Sequence, residues 1–378
     1  MPNLALLKHM PGIEKEHISK ALTDHFSKDG TVSPSISLEP LGSGYHASGF
    51  RAETPNGVTL FIREIGHVGF GHDLPQDRAH SMMEGAVDIP HGMETYMILG
   101  VKKDGSVVDL KGIEEVVSVG QFMPEGVENF LGIIQTPANT PEEQQALTDI
   151  LLPKTLRFAE TAADIHRIKP NVTVEEGRSL YQRAMREMIG SGELTMGVLD
   201  LIDFETTPWI SKKDAGQFVG DMLTVKFLLG DHPERLTRIA GDFWANNIFF
   251  HGDNVIVTDG RLIWGDPAID ARGFIGEYLQ QDYIRFGHFG GPFTDLAQQT
   301  MEHYIEITGD KDIWRYMAIP YAFQTLAEAY FTDNLDDHQR RDMFVHSWAF
   351  LKRVIINPET EVLNLYKMNE YLEEGRRF

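Results

Sequence analysis

The residues with the types and spacing for chemistry lie in Ile239-Ala-Gly-Asp-Phe-Trp-Ala-Asn-Asn-Ile-Phe-Phe250 and Val255-Ile-Val-Thr-Asp-Gly-Arg261. They are an acid at Asp242, an amide five positions on at Asn247, and a second acid at Asp259 that ends an apolar run. Phosphoryl transfer draws on this set: one carboxylate takes or orients the proton of the nucleophile, while an amide and a second carboxylate hold Mg2+ on the nucleotide phosphates. Mg2+ favours few carboxylates, several waters and phosphate oxygens, which suits so sparse a donor set. Asp and Asn also close turns and cap helices. The spacing gains meaning from what surrounds it.

A hairpin is needed to position the three groups. Ile248-Phe249-Phe250 reads as one strand and Val255-Ile256-Val257 as the next, with His251-Gly-Asp-Asn254 as turn chemistry between them. Folded so, the acid of D-x-x-x-x-N faces an acceptor, its amide faces a metal, and Asp259 returns toward Asn247. Gly265-Asp-Pro-Ala-Ile-Asp270 follows directly.

Gly-Asp, an apolar residue, Trp, Asn-Ile, an Asp-Gly segment and then Gly-Asp-Pro-x-x-Asp together resemble the aminoglycoside phosphotransferase and choline kinase-like superfamily, small-molecule kinases with a protein-kinase-like fold. The resemblance implies that Asp242 is the catalytic base, that Asn247 and Asp259 are the metal ligands, and that Asp266 and Asp270 support the second lobe. Asp266-Pro267-Ala268 also resembles the metal-binding Asp-Pro segment of the fructosamine kinase branch, so Asp266 is the alternative ligand. Asp259 is preferred because it ends the hairpin twelve residues after Asn247. Two departures stand out. The family usually reads His-Gly-Asp where this chain reads Ala240-Gly241-Asp242, which removes a hydrogen bond of about 1 kcal/mol. Arg63 stands where kinases generally carry lysine, and the two are not interchangeable on phosphate. They motivate the alternative of a catalytically impaired, nucleotide-binding regulatory protein. A protein kinase fits less well, because no Ala-Pro-Glu segment follows Asp259.

The expected fold class is α+β, a bilobal protein-kinase-like fold. An N-terminal antiparallel sheet lobe with a helix spans residues 1–122, and a larger, mainly helical lobe with the catalytic loop and acceptor site spans 123–378. Ile36–Leu41, Phe50–Glu53 and Val58–Arg63 read as strands, with Gly42-Ser-Gly-Tyr-His-Ala-Ser-Gly49 between the first two. Small residues there let backbone N–H groups approach phosphates. By resemblance Gly44 and Ser48 sit over the phosphates with Arg63. Either Glu84 or Asp77, on a helix expected from Pro75 to about Val87, would orient that arginine. Val116 to Gly126 reads as a strand entering the lobe hinge, and by resemblance Gln121, Phe122 and Met123 meet the purine. Thr140 with Pro141 and two glutamates forms a helix start, and Leu156 to His166 carries a buried-helix stripe. His166 is expected to be a structural hydrogen-bonder. Residues from about 175 to 233 read as amphipathic helices broken at Gly190-Ser-Gly192 and Pro208.

The whole chain bounds the reading. Its 378 residues suffice for two cores, and 42% hydrophobic with 24% charged residues is ordinary for a soluble globular protein. No cysteine is present, which excludes disulfides and thiolate chemistry. No apolar run reaches membrane-span length, and the first residues lack the features of a secretory signal, so a cytoplasmic protein without membrane partners is expected. The formal charge of −22 opposes nonspecific nucleic-acid binding and is compatible with a cationic acceptor. Mg2+ and ATP or GTP are the expected cofactor and donor. The acceptor's identity and the oligomeric state stay open.

Overall fold

The computed structural model describes residues 15–26, 36–43, 47–54, 57–65, 90–102, 104, 106–108, 115–192, 194–258 and 263–378. The chain divides into two compact units, Met1–Glu125 and Gly126–Phe378. The first is a sheet with a helix and the second is mainly helical, an α+β chain.

The first unit is built on six strands: β1 (Leu38–Ser43), β2 (Ala47–Glu53), β3 (Thr59–Ile65), β4 (Thr95–Val101), β5 (Val107–Val108) and β6 (Glu115–Gln121). They form one sheet in the order β1-β2-β3-β6-β4-β5, and every neighbouring pair is antiparallel. Strand alternation decides what each face carries. Leu60 and Ile62 of β3 and Val117 and Val119 of β6 are buried, and Ile18, Ala21 and Leu22 of the helix Lys15–Phe26 join the same core. The helix is tied down where its register allows. Thr23 Oγ1 accepts from the Ile36 N–H at 3.0 Å, and Ser19 Oγ donates to the Ile36 carbonyl. Arg63, between buried Ile62 and buried Glu64, points to the other face of β3 and is half-buried.

The second unit holds β7 (Glu128–Asn129), β8 (Thr237–Ile239), β9 (Ile248–His251), β10 (Asn254–Val257) and β11 (Ile263–Gly265). β10, β9 and β7 make a three-stranded antiparallel sheet, and β8 pairs with β11. His251 opposes Asn254, so the hairpin turns on Gly252 and Asp253. The helices Pro141–His166, Val174–Gly190, Lys212–Leu229, Gly276–Phe286, Pro292–Thr308, Ala318–Phe331 and Asp337–Ile356 make up most of the rest. Among the described residues, no helix is long and apolar enough to cross a membrane.

The helix that opens at Thr140 and the one that ends at His166 are a single helix of 26 residues, which runs through Pro153. A proline inside a helix costs about 3 kcal/mol. Here Leu147, Leu151, Phe158, Ala159, Ala162, Ala163 and Ile165 along the same helix are all buried, and their burial outweighs one lost hydrogen bond. Thr140 closes a capping box with Glu143 at the start. Residues 174–229 form three helices, broken after Gly190 and again between Asp200 and Lys212.

Candidate active site

The loop from Ala240 to Asn247 joins β8 to β9. Gly241 has φ of 79°, a conformation that side-chain-bearing residues rarely adopt, which is why glycine precedes Asp242. Ala245–Asn247 then form a 3-10 turn closed by the Asn247 N–H on the Trp244 carbonyl at 3.0 Å. That turn accounts for the five-residue spacing. It carries the amide back over the acid, and Asn247 Nδ2 donates to the Asp242 carboxylate at 2.8 Å and to its carbonyl at 3.0 Å.

The hairpin returns to the same place. The carbonyl of Asn247 accepts from the Thr258 N–H at 2.8 Å and from Thr258 Oγ1 at 3.1 Å. Thr258 is the residue before Asp259, which itself lies outside the described residues. Asn129 holds the loop from the side. Its Nδ2 donates to the Asn246 carbonyl at 2.8 Å while its Oδ1 caps the helix Phe130–Ile134 through the Gly132 N–H. Asn247 is 7% exposed. Both of its bonds to Asp242 use Nδ2. Neither bond engages its amide oxygen, the kind of oxygen a hard cation takes.

The loop stands on a buried polar scaffold. Asp270 is fully buried and accepts from the Ala240 N–H at 2.7 Å and the Gly241 N–H at 2.8 Å. His166 bridges Asp270, at 3.0 Å from its Nε2, to the Tyr304 hydroxyl, at 2.7 Å from its Nδ1. This histidine is structural, as its sequence position suggested. Arg272, 4% exposed, donates to the Gly241 carbonyl at 3.0 Å and to the Ile269 carbonyl. Burial pulls its guanidinium below the usual arginine value, while the attraction of Asp242 and Asp270 opposes that. Phe243, the residue after the acid, is buried by stacking on Phe158 at 4.7 Å between ring centroids and by an edge contact with Phe274. A side chain at Gly273 would collide with the Phe243 carbonyl, so the close approach of the two segments depends on that glycine.

Asp266 has a different environment. Arg235 grips it with two nitrogens, at 2.7 and 2.9 Å, and reaches Asp310 with the same guanidinium. Tyr181 Oη donates to it at 3.2 Å and the Ala268 N–H at 2.9 Å. The carboxylate is fully buried with both oxygens engaged. Arg235 ends the 3-10 turn Pro233–Arg235, just before β8, and that position serves this clamp.

Glu277, Glu328 and Asp282 are also buried in the second unit. Glu277 is 4% exposed, and burial pushes its carboxyl up to about 7. Glu328 is raised well above the carboxylate range by burial and then by Glu277. Asp282 has a structural explanation. It accepts from the N–H groups of Gly291, Phe293 and Thr294 and from the Thr294 hydroxyl.

In the first unit, Ser48 sits within β2, opposite Ser43 and Glu64, and Arg63 lies opposite Gly49 and Ser118. The Gln121 N–H is spent on the Glu94 carbonyl at 2.8 Å. Phe122 and Met123 follow the end of β6 half-buried, and the Arg51 guanidinium lies 5.6 Å from the Phe122 ring centroid. Gly44, Asp77 and Glu84 lie outside the described residues. The residues that sequence reasoning missed are Asn129, Thr258, Arg272 and Gln324. Only Arg272 carried a signal, as a cation two positions after the Gly-Asp-Pro-x-x-Asp run.

No protein-family model and no curated protein matches the chain. Solved structures do resemble it. A provisionally named fructosamine-3-kinase from Thermobifida fusca YX-ER1 is 12% identical, with 88% of this chain and 99% of that one covered and a TM-score of 0.49. A thermostable mutant of the aminoglycoside phosphotransferase APH(4)-Ia is 14% identical over 91% and 100%, at 0.47. A provisionally named aminoglycoside phosphotransferase from Ralstonia eutropha JMP134 is 14% identical over 95% and 97%, at 0.45. Likenesses of this strength say nothing of what this chain binds.

Proposed function

We propose that this chain is a phosphotransferase that moves the γ-phosphate of ATP or GTP to a hydroxyl of a small molecule, with Mg2+ on the nucleotide. The observation that carries the reading is the hydrogen bond of Asn247 to the Asp242 carboxylate, together with the docking of Thr258 on the Asn247 carbonyl. An acid, an amide and the approach to a second acid thus share one small region, as D-x-x-x-x-N chemistry requires.

In this reading Asp242 orients the acceptor hydroxyl and takes its proton. The acceptor oxygen bonds to the γ-phosphorus, the bond to the bridging oxygen breaks, and the nucleoside diphosphate leaves with that electron pair. Asn247 Nδ2 fixes the carboxylate's orientation, so little reorganisation is needed as charge develops. Asn247 and Asp259 would hold Mg2+, which supplies charge neutralisation on the phosphates when bound. Asp259 is chosen over Asp266 because Arg235, Tyr181 and the Ala268 N–H already engage both oxygens of Asp266. Gly44, Ser48 and Arg63 would meet the phosphates. Phe122 and Met123 would meet the purine, since the Gln121 N–H serves the sheet. The charge of −22 suits a cationic acceptor and opposes a nucleic-acid one. The cysteine-free sequence fits a cytoplasmic enzyme.

Asp242→Ala is expected to abolish transfer while Mg-nucleotide still raises the melting temperature. Near-normal turnover in that variant overturns the assignment. The second reading, a nucleotide-binding protein without transfer, draws on Ala240. It predicts that the wild type releases no diphosphate from Mg-ATP or Mg-GTP with aminoglycosides, choline-like amines, sugars or amino-acid alcohols.

A further inference from the structure

We infer that Arg272, itself held by Gln324, which Glu328 holds in turn, is a positioning residue that fixes the direction of Asp242. The inference rests on Asp242 being the base proposed above. Gly241 is the flexible joint before that acid, and its two flanking peptide planes are pinned from one short segment. Asp270 holds the plane on the N-terminal side through the Gly241 N–H, and Arg272 holds the plane on the C-terminal side through the Gly241 carbonyl at 3.0 Å. With both planes fixed, the φ and ψ of Gly241 are fixed, and so is the course of the chain into Asp242. Ala240, fully buried, offers the loop no side-chain hydrogen bond of its own.

The arginine is itself clamped. Its other terminal nitrogen donates to the Ile269 carbonyl, and its Nε donates to Gln324 Oε1 at 3.2 Å. Gln324 Nε2 in turn donates to Glu328 Oε1, one turn further along the same helix, at 2.9 Å. The guanidinium also lies 5.0 Å from the Phe323 ring centroid. Gly276 admits this chain of contacts, since a Cβ there would meet Gln324 Cγ at 2.5 Å and collide with Glu328 Oε1. Among the described residues Arg272 forms no ion pair with a carboxylate; the oxygens it grips belong to two carbonyls and one amide. A buried cation is costly, and an apolar side chain of similar volume would fill the space at lower cost. The charge strengthens the hold on the Gly241 carbonyl and is attracted by the nearby carboxylates of Asp242 and Asp270.

The test compares wild type with Arg272→Gln and Arg272→Lys by two readouts. The first is ADP release from Mg-ATP, with water as the acceptor. The second is amide hydrogen exchange of residues 240–247, measured against the helix Pro141–His166. In Arg272→Gln, kcat is expected to fall roughly 10- to 100-fold with KM for Mg-ATP within about twofold, and exchange to rise in the loop while the helix keeps its protection. Arg272→Lys should recover part of the rate. A role in global stability alone would raise exchange in both regions. A folded Arg272→Gln with unchanged loop exchange overturns the inference. If that variant does not fold, Gln324→Met takes its place, and unchanged loop exchange there overturns it equally. Exchange needs no turnover. A wild type that releases no diphosphate from Mg-ATP or Mg-GTP with any of the acceptor classes named above, or an active Asp242→Ala, therefore sinks the phosphotransferase reading, while the brace on the loop is still decided by exchange.

Discussion

Asp270→Asn isolates the scaffold from the chemistry, because it changes no atom of Asp242 and almost no volume. The carboxylate uses both oxygens: Oδ2 accepts from the Ala240 N–H and from His166 Nε2, and Oδ1 accepts from the Gly241 N–H. Asparagine has one acceptor oxygen. If it takes the place of Oδ2, its NH2 faces the Gly241 N–H. If it takes the place of Oδ1, its NH2 faces the Ala240 N–H and the histidine. Either way a buried N–H of the catalytic loop meets a donor. Losing a charge-assisted bond of this kind costs about 1.5–3 kcal/mol. Should the loop relax to relieve the clash, the same energy appears as lost transition-state stabilisation, a factor of about 10 to 150 in kcat. Steady-state turnover with saturating Mg-nucleotide, with unfolding by urea on the same samples, separates the two. The expected result is a loss in kcat, in stability or in both that adds up to this range, with KM for nucleotide little changed. A variant that keeps wild-type kcat and wild-type stability would refute the claim that Asp270 holds the loop.

The buried acid Glu277 gives a pH prediction. Its folded value is raised from 4.5 to about 7, so the native state binds the proton more tightly than the unfolded chain. Its contribution is fully present below about pH 4.5 and lost as pH rises through 7. At about 1.4 kcal/mol per unit, the loss approaches 3 kcal/mol by pH 8. Glu277→Gln cannot ionise, so its advantage over wild type in urea unfolding should be about 3 kcal/mol larger at pH 8 than at pH 4.5. Equal differences at both pH values would refute the shift. Gly273→Ala tests the close approach beneath the loop. The added methyl meets a backbone carbonyl rather than a flexible side-chain tip, so it should cost about 3 kcal/mol or lower kcat by displacing Phe243. Wild-type unfolding and turnover together would show that the segments can part at no cost.

What the sequence made legible follows from how local each signal is. The hairpin at 248–257 was readable because two short apolar runs and a Gly-Asp turn lie within ten positions, and strand register there is set by the turn itself. The five-residue interval from Asp242 to Asn247 was readable because it is local, but the hydrogen bond between the two side chains was not, since it depends on the 3-10 turn Ala245–Asn247 that carries the amide back over the acid. The helix Lys15–Phe26 was not anticipated. Its apolar stripe is short, Ile18, Ala21 and Leu22, and it is stabilised by a sheet whose strands lie far along the chain. The scaffold was less legible still. Arg272 lies some fifty residues before Gln324 and Glu328, and nothing local distinguishes a buried arginine from an exposed one. Asp266 shows the limit from the other side. From sequence it competed with Asp259 for the metal, because Asp266-Pro267-Ala268 resembles a metal-binding Asp-Pro segment. Arg235, thirty-one residues earlier, holds both oxygens of Asp266 with two nitrogens of one guanidinium, and that engagement, invisible locally, is the ground on which Asp259 is proposed instead. In this chain the groups proposed to react are encoded locally, and the groups that hold their loop still are encoded at a distance. Substitutions in the second set should therefore change rate without changing which reaction is run.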